Sequence, residues 1–184
     1  MSNGLKAAGL ALVRGGRLLF EELDFALEPG EALHIKGPNG SGKSSLLRLV
    51  AGLLNPTAGR IERPDAALAD EALALDRELP LARALKFWRG PLLQEALTAF
   101  ELHPLAHVPV RMLSTGQAKR ARLARVMASG APLWLLDEPL NGLDRKGVGE
   151  LDRAIAAHRG AGGLVLAASH VAMGGDWRSL ELGS

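Results

Sequence analysis

The chain has 184 residues, 47% of them hydrophobic, which suits one domain with a buried core and one site rather than several. With 22 Lys and Arg against 20 Asp and Glu, its formal charge of +2 is too mild to argue by itself for a nucleic-acid partner. There is no cysteine, so disulfides and thiolate metal sites are excluded, and no apolar run approaches the ~18 residues of a membrane span. The opening stretch MSNGLKAAGLALVRGG carries one early lysine and only a weak apolar patch, so no secretory signal is expected and the cytoplasm is the expected address.

Strand character is expected around residues 10–13 and over 18–27, with a Gly- and Arg-rich turn between them. A second turn, EPGE, leads into the apolar run 32–35, a glycine loop and a helix from Lys43. That helix sets Leu46, Leu47, Leu49, Val50 and Leu53 on a broad apolar face until NPTAGR stops the pattern near Asn55. Residues 63–80, rich in alanine, leucine and acids, read as a connecting segment and the start of a helical insertion. Helix is expected over 81–102, interrupted at Gly90 and Pro91, and again over 117–129. LWLLDEP and GLVLAASH have the form of strands buried on both faces of a mostly parallel sheet, with a helix over 146–158 between them.

Gly37, Pro38, Asn39, Gly40, Ser41, Gly42, Lys43 and Ser44 match the phosphate-binding pattern G-x-x-x-x-G-K-[ST] in full, between an expected strand and an expected helix. Glycines let backbone N–H groups converge on phosphate oxygens, and the helix N-terminus adds the positive end of a dipole. Lys43 is expected to reach the β- and γ-phosphates and Ser44 to ligate Mg²⁺. LWLLDEP ends in two adjacent carboxylates at the carboxyl edge of the expected sheet, where such folds bind ligands. Asp137 suits the Mg²⁺ shell, and Glu138 suits the water that attacks the γ-phosphate. His170 ends the next strand at the same edge, where it is a candidate γ-phosphate sensor.

His103 and His107 have the spacing of a metal pair, but Pro104 and Pro109 break the helix that such a pair needs, and no third ligand follows. Lys119, Arg120, Arg122 and Arg125 share a helix with Leu123, Val126 and Met127. The expectation is a solvated basic face opposite a buried one, not a nucleic-acid surface.

Taken together, these motifs resemble the ATP-binding cassette (ABC) ATPases over nearly the whole chain. The family's ordered set of phosphate loop, LSGGQ-like signature, D-E strand end, D-loop and switch histidine is matched by residues 37–44, 113–117, 137–138, 141–144 and His170. The resemblance implies a single α/β domain over 1–184: a P-loop NTPase with a RecA-like core, an antiparallel β region and a small α-helical subdomain at about 73–129. It implies ATP and Mg²⁺ as cofactors, Glu138, His170 and Lys43 as catalytic residues, and Ser45 among those binding nucleotide. It also implies a homodimer in which Ser114, Gly116 and Gln117 of the signature LSTGQ, with Asp144 of the D-loop, complete the nucleotide site of a second copy. Membrane transport subunits on separate chains follow, with this chain peripheral on the cytoplasmic face of the inner membrane and Phe87, Trp88 and Arg89 as a docking surface.

Within the family, the short chain, the ALKFW segment, VPVRMLSTGQAKRARLARV and GGLVLAASH resemble the haem-exporter subfamily of cytochrome c maturation. The alternatives are a soluble ABC ATPase of iron–sulfur cluster assembly and another small exporter. Three positions depart from the family pattern. No glutamine occupies the Q-loop, where Glu71 is the nearest polar residue and a candidate Mg²⁺ ligand. Arg14 stands where an aromatic residue often stacks on adenine, and its guanidinium plane is a candidate substitute. Thr115 replaces a signature glycine.

Overall fold

The computed structural model describes residues 3–71, 75–86 and 91–183. Strands Leu5–Arg14 (β1) and Arg17–Leu27 (β2) form an antiparallel hairpin closed by Gly15 and Gly16, at φ 58° and 75°. A two-residue turn that follows strand twist needs left-handed backbone, which glycine adopts without a Cβ clash. The chain continues through Ala32–Lys36 (β3), helix Lys43–Val50 (α1), Ala58–Glu62 (β4) and Ala66–Ala69 (β5). Helices Leu81–Lys86 (α2), Leu93–Ala99 (α3) and Thr115–Ala128 (α4) follow, and then Leu133–Asp137 (β6), helix Arg145–Gly160 (α5), Leu164–Ala168 (β7) and Arg178–Glu181 (β8). One sheet is antiparallel, in the order β2-β1-β4; the other is parallel, in the order β5-β6-β7-β3-β8.

The parallel sheet separates two cores by simple alternation. On β6, Leu133 and Leu135 join the core beneath the antiparallel sheet and α1, while Trp134 and Leu136 join the core beneath α2 to α5; on β7, Leu166 and Val165 divide in the same way. Each fully buried leucine stabilises the fold by roughly 1.5–3 kcal/mol. Helix α1 therefore covers one face and α5, through Leu151 and Ile155, the other.

The architecture is the α/β arrangement expected, with corrections. The first strand starts at Leu5, well before residue 10. Residues 63–80 are not merely a connector: Ala66–Ala69 is the edge strand of the parallel sheet, paired in register with β6. The segment that follows NPT is strand β4, held by β1, and the residues after GGLVLAASH contain β8, held by β3. The helix expected over 81–102 is two short helices, α2 and α3; Phe87, Trp88, Arg89 and Gly90 lie outside the described residues. His103 lies in a 3₁₀ turn, His103–Leu105, with Nε2 2.9 Å from Thr98 Oγ1, and His107 is exposed.

Candidate nucleotide site

The site forms along the carboxyl edge of the parallel sheet, where β3, β6 and β7 deliver their last residues side by side. After β3, Gly37 adopts φ 141°, and a Cβ on it would lie 2.3 Å from the carbonyl oxygen of Leu182, so the loop passes the end of β8 only as glycine. Helix α1 begins after Gly42 with no side-chain cap and no acid in its first turn, leaving its positive dipole end to an anion. Lys43, only 7% exposed, donates from Nζ to the carbonyls of Gly37 at 2.8 Å and Pro38 at 3.0 Å, which folds the ammonium into the loop's own concavity.

From β6 comes Asp137, whose Oδ1 accepts a hydrogen bond from Ser44 Oγ at 3.0 Å. Burial pushes the Asp137 carboxyl up, opposed by the Ser44 hydrogen bond and the Arg48 charge. Arg48 itself donates through Nε and Nη2 to Oδ2 of the buried Asp70, at 3.2 and 3.1 Å, tying α1 to the end of β5. Glu138 has left-handed backbone, φ 44°. Its N–H donates to Ala168 of β7 at 2.8 Å, its carbonyl accepts from Asn141 N–H at 3.2 Å and from Lys119 Nζ at 2.7 Å, and its Oε2 lies 2.9 Å from His170 Nδ1. Buried His34 donates from Nε2 to the Ser169 carbonyl at 2.9 Å, and Ser169 Oγ accepts from Val171 N–H, so the turn that presents His170 is held from both sides.

An open cleft of about 430 Å³ is lined by Arg14, Leu19, Asn39, Gly40, Gly42, Lys43, Ser44, Ser45 and Glu138. Arg14 Nη1 donates to Ser45 Oγ at 3.3 Å. Ser41, also part of the loop, is buried and its N–H donates to Pro38. Glu71 is exposed just past β5, and its charge reaches Lys119.

Ser114, Gly116, Gln117 and Asp144 do not line this cleft. They sit at two neighbouring helix starts. Ser114 caps α4, its Oγ accepting from Gln117 N–H at 3.3 Å while Gln117 Oε1 accepts from Ser114 N–H at 2.9 Å, a reciprocal box. Asp144 caps α5 through Gly147 N–H at 2.7 Å. A Cβ on Gly116 would lie 3.3 Å from the Gly142 carbonyl, so these two corners are packed against each other.

The expectation of a solvated basic face on α4 fails. Lys119 and Arg125 are each only 5% exposed: Lys119 is bonded to Glu138, and Arg125 Nη2 donates to the Leu68 carbonyl. Arg120 reaches the Phe100 carbonyl at 3.3 Å and the buried Glu150 at 3.4 Å. Burial and the neighbouring Arg122 push the Lys119 ammonium's pKa down, while Glu71, Asp137 and Glu138 favour its charged form. Lys119 is the site residue that sequence reasoning missed, and the signal was its phase: residues 119, 123 and 126 share one stripe of the helix, and Leu123 and Val126 are core.

A phosphate loop at the carboxyl edge of a parallel sheet, with paired acids on the adjoining strand ends, defines a P-loop nucleotide-hydrolysing cassette. A family profile described as ABC transporter matches residues 20–141. The chain is 57% identical over 172 residues to the cytochrome c biogenesis ATP-binding export protein CcmA of Sphingopyxis alaskensis, covering 90% of this chain and 89% of that protein. It is 56% identical over 169 residues to the protein of the same description from Novosphingobium aromaticivorans, covering 91% and 88%. A solved structure described as the dimeric post-hydrolysis state of an ATP-binding cassette bound to ADP and Pi superposes with a TM-score of 0.80 at 21% identity, covering 91% of this chain and 88% of that one. The chain belongs to the ABC transporter family, within its group of cytochrome c biogenesis ATP-binding export proteins. It is an ATPase subunit with the cassette fold.

Proposed function

We propose that this chain hydrolyses ATP for an export system of cytochrome c biogenesis, with haem as the cargo. The relatives that share more than half of its residues carry that biogenesis role in their description. The observation that carries the catalytic reading is that Lys43 and Glu138 line one cleft, with His170 Nδ1 2.9 Å from the Glu138 carboxylate.

Lys43 exchanges its two loop carbonyls for β- and γ-phosphate oxygens, which offer charge as well as lone pairs. Ser44 and Asp137 fit Mg²⁺: a hydroxyl and a carboxylate 3.0 Å apart suit an ion that takes one or two protein ligands and completes its shell with phosphate and water. Among the described residues no group of three or more His, Asp or Glu forms a metal cage, which agrees with an ion arriving with its nucleotide. When bound, Mg²⁺ would neutralise charge developing on the γ-phosphate. Glu138 accepts the proton of the attacking water, and His170 holds the carboxylate in line and faces the γ-phosphate. Glu71, just past β5, would add a carboxylate to the Mg²⁺ environment, and Arg14 and Ser45 bind the nucleotide beside the loop.

Ser114, Gly116, Gln117 and Asp144, outside the cleft of their own chain, face the nucleotide of a second copy, so two chains complete two sites. Helices α2 to α4 form the small subdomain, about 73–129, that meets separate membrane subunits at the cytoplasmic face of the inner membrane. No helix among the described residues is long and apolar enough to cross a bilayer itself. A haem-stained gel of membranes from a strain lacking this gene tests the assignment. Loss of c-type cytochromes, restored by the wild-type chain and not by Glu138→Gln, is the expected result; cytochromes that persist without the gene would sink it.

A further inference from the structure

Lys119 presents a physical problem. A lysine only 5% exposed forfeits most of its hydration, and such burial persists only where the protein offers the charge a specific return. Here the return is short and directional, a 2.7 Å hydrogen bond to the backbone carbonyl of Glu138. That backbone is itself unusual: among the described residues only Glu22, Glu101 and Glu138 are non-glycine residues at positive φ, and the other two are exposed.

We propose that Lys119 is a positioning residue for hydrolysis, holding Glu138 by its carbonyl in the left-handed conformation that aims the carboxylate at the cleft. This rests on the reading of Glu138 as the base. Three elements meet at that residue: β7 takes its N–H through Ala168, α4 takes its carbonyl through Lys119, and the turn after β7 sets His170 Nδ1 2.9 Å from its carboxylate. The first and last hold the backbone at one end and the side chain at the other. The Glu138 carbonyl takes two hydrogen bonds, from Lys119 and, at 3.2 Å, from Asn141 N–H, and the Lys119 bond is the shorter and is charge-assisted. Without it Glu138 can leave its left-handed φ of 44°, and a change in φ swings Cβ and the carboxylate away from the cleft. Displacements of about 1 Å at a reacting group cost on the order of 100-fold in rate.

The link also has a direction. Lys119 lies on α4, whose first residues are the signature, so the helix that meets a second copy's nucleotide also carries the donor that holds its own chain's base.

Steady-state phosphate release by the full chain tests this with Lys119→Met, which keeps the apolar stem and loses the donor and charge. The expected result is a kcat lowered about 10- to 100-fold with KM for ATP within about twofold, a folded thermal transition, and recovery of most of the rate in Lys119→Arg. Combined with Glu138→Gln, Lys119→Met should add no further loss, because it acts through a carboxylate already removed. A folded Lys119→Met with wild-type kcat, or a fully additive loss in the double variant, overturns the proposal and leaves Lys119 as packing. Should Lys119→Met not fold, Lys119→Leu, which also lacks donor and charge, carries the same comparison and the same overturning outcomes. Full activity in Glu138→Gln alone would sink the reading of the base itself, whatever Lys119 does.

Discussion

Ser44 Oγ donates to Asp137 Oδ1 at 3.0 Å, joining the first turn of α1 to the last residue of β6 across 93 positions of sequence. Burial already pushes this carboxyl up, so an ion that brings positive charge to it should bind with a gain that neither residue supplies alone. Ser44→Ala and Asp137→Asn are expected to lower affinity for MgATP about 10- to 100-fold while changing affinity for ATP in excess chelator by less than about threefold. Calorimetry with and without Mg²⁺ reads both numbers, and an equal loss in the two conditions would remove both residues from the metal site.

Lys43 donates to two carbonyls of its own loop, so its removal should leave the loop foldable but without its phosphate charge. Lys43→Ala is expected to weaken ATP binding at least ~10-fold with little change in thermal midpoint. Undiminished ATP affinity would mean that these residues do not cradle phosphate.

Arg14, the candidate for stacking on adenine, donates from Nη1 to Ser45 Oγ at 3.3 Å, which ties its guanidinium to the phosphate loop. Arg14→Ala is therefore expected to weaken ATP and GTP alike, by about 3- to 10-fold. Competition binding with the two nucleotides checks it; a loss confined to ATP would favour stacking on adenine instead.

Ser114 and Gln117 satisfy each other at the start of α4, so each contributes to stability apart from any role toward a second copy. Ser114→Ala should cost about 0.5–2 kcal/mol in urea denaturation. Ser114→Asp separates the two roles, because aspartate caps as well as serine but sets a negative charge where a phosphate should dock. Wild-type stability with no ATP-induced dimer, read by light scattering in the Glu138→Gln background, is expected; an intact dimer would show that the signature meets no phosphate.

His158 stacks on Trp134, ring centroids 4.0 Å apart at 11°, and donates to the Pro132 carbonyl at 3.2 Å. Burial holds its pKa below the usual histidine value of about 6.5, only partly offset by its hydrogen bonds to Pro132 and Leu164. A group depressed in the folded state contributes stability that is present above its unfolded pKa and lost as pH falls through its folded pKa. Thermal midpoints should therefore fall below about pH 6.5 more steeply in the wild type than in His158→Phe. Parallel slopes would show that His158 titrates as freely in the fold as out of it.

Several elements were legible because their residues have few alternatives. LWLLD and LVLAA are too short and too apolar for anything but buried strands, and the glycine loop before Lys43 announced both the turn and the helix after it. Others were not. Ala-Ala-Leu-Ala has the local preference of a helix and became β5 only because β6 lay beside it in register. Likewise, β8 has two charged residues in four and is a strand because β3 had an unpaired edge to offer.

The sequence by itself determined which groups could carry the chemistry: a glycine loop with its lysine and serine, two adjacent acids and a histidine each declare themselves by residue type and spacing, because charge and backbone freedom are local properties. What only the tertiary structure decided is which charges are buried and what holds them. Lys119, Arg125 and Asp70 look like surface residues in the one-letter string. Whether an ion can leave water depends on a partner supplied from another element, and for Lys119 that partner, the carbonyl of Glu138, comes from 19 residues away.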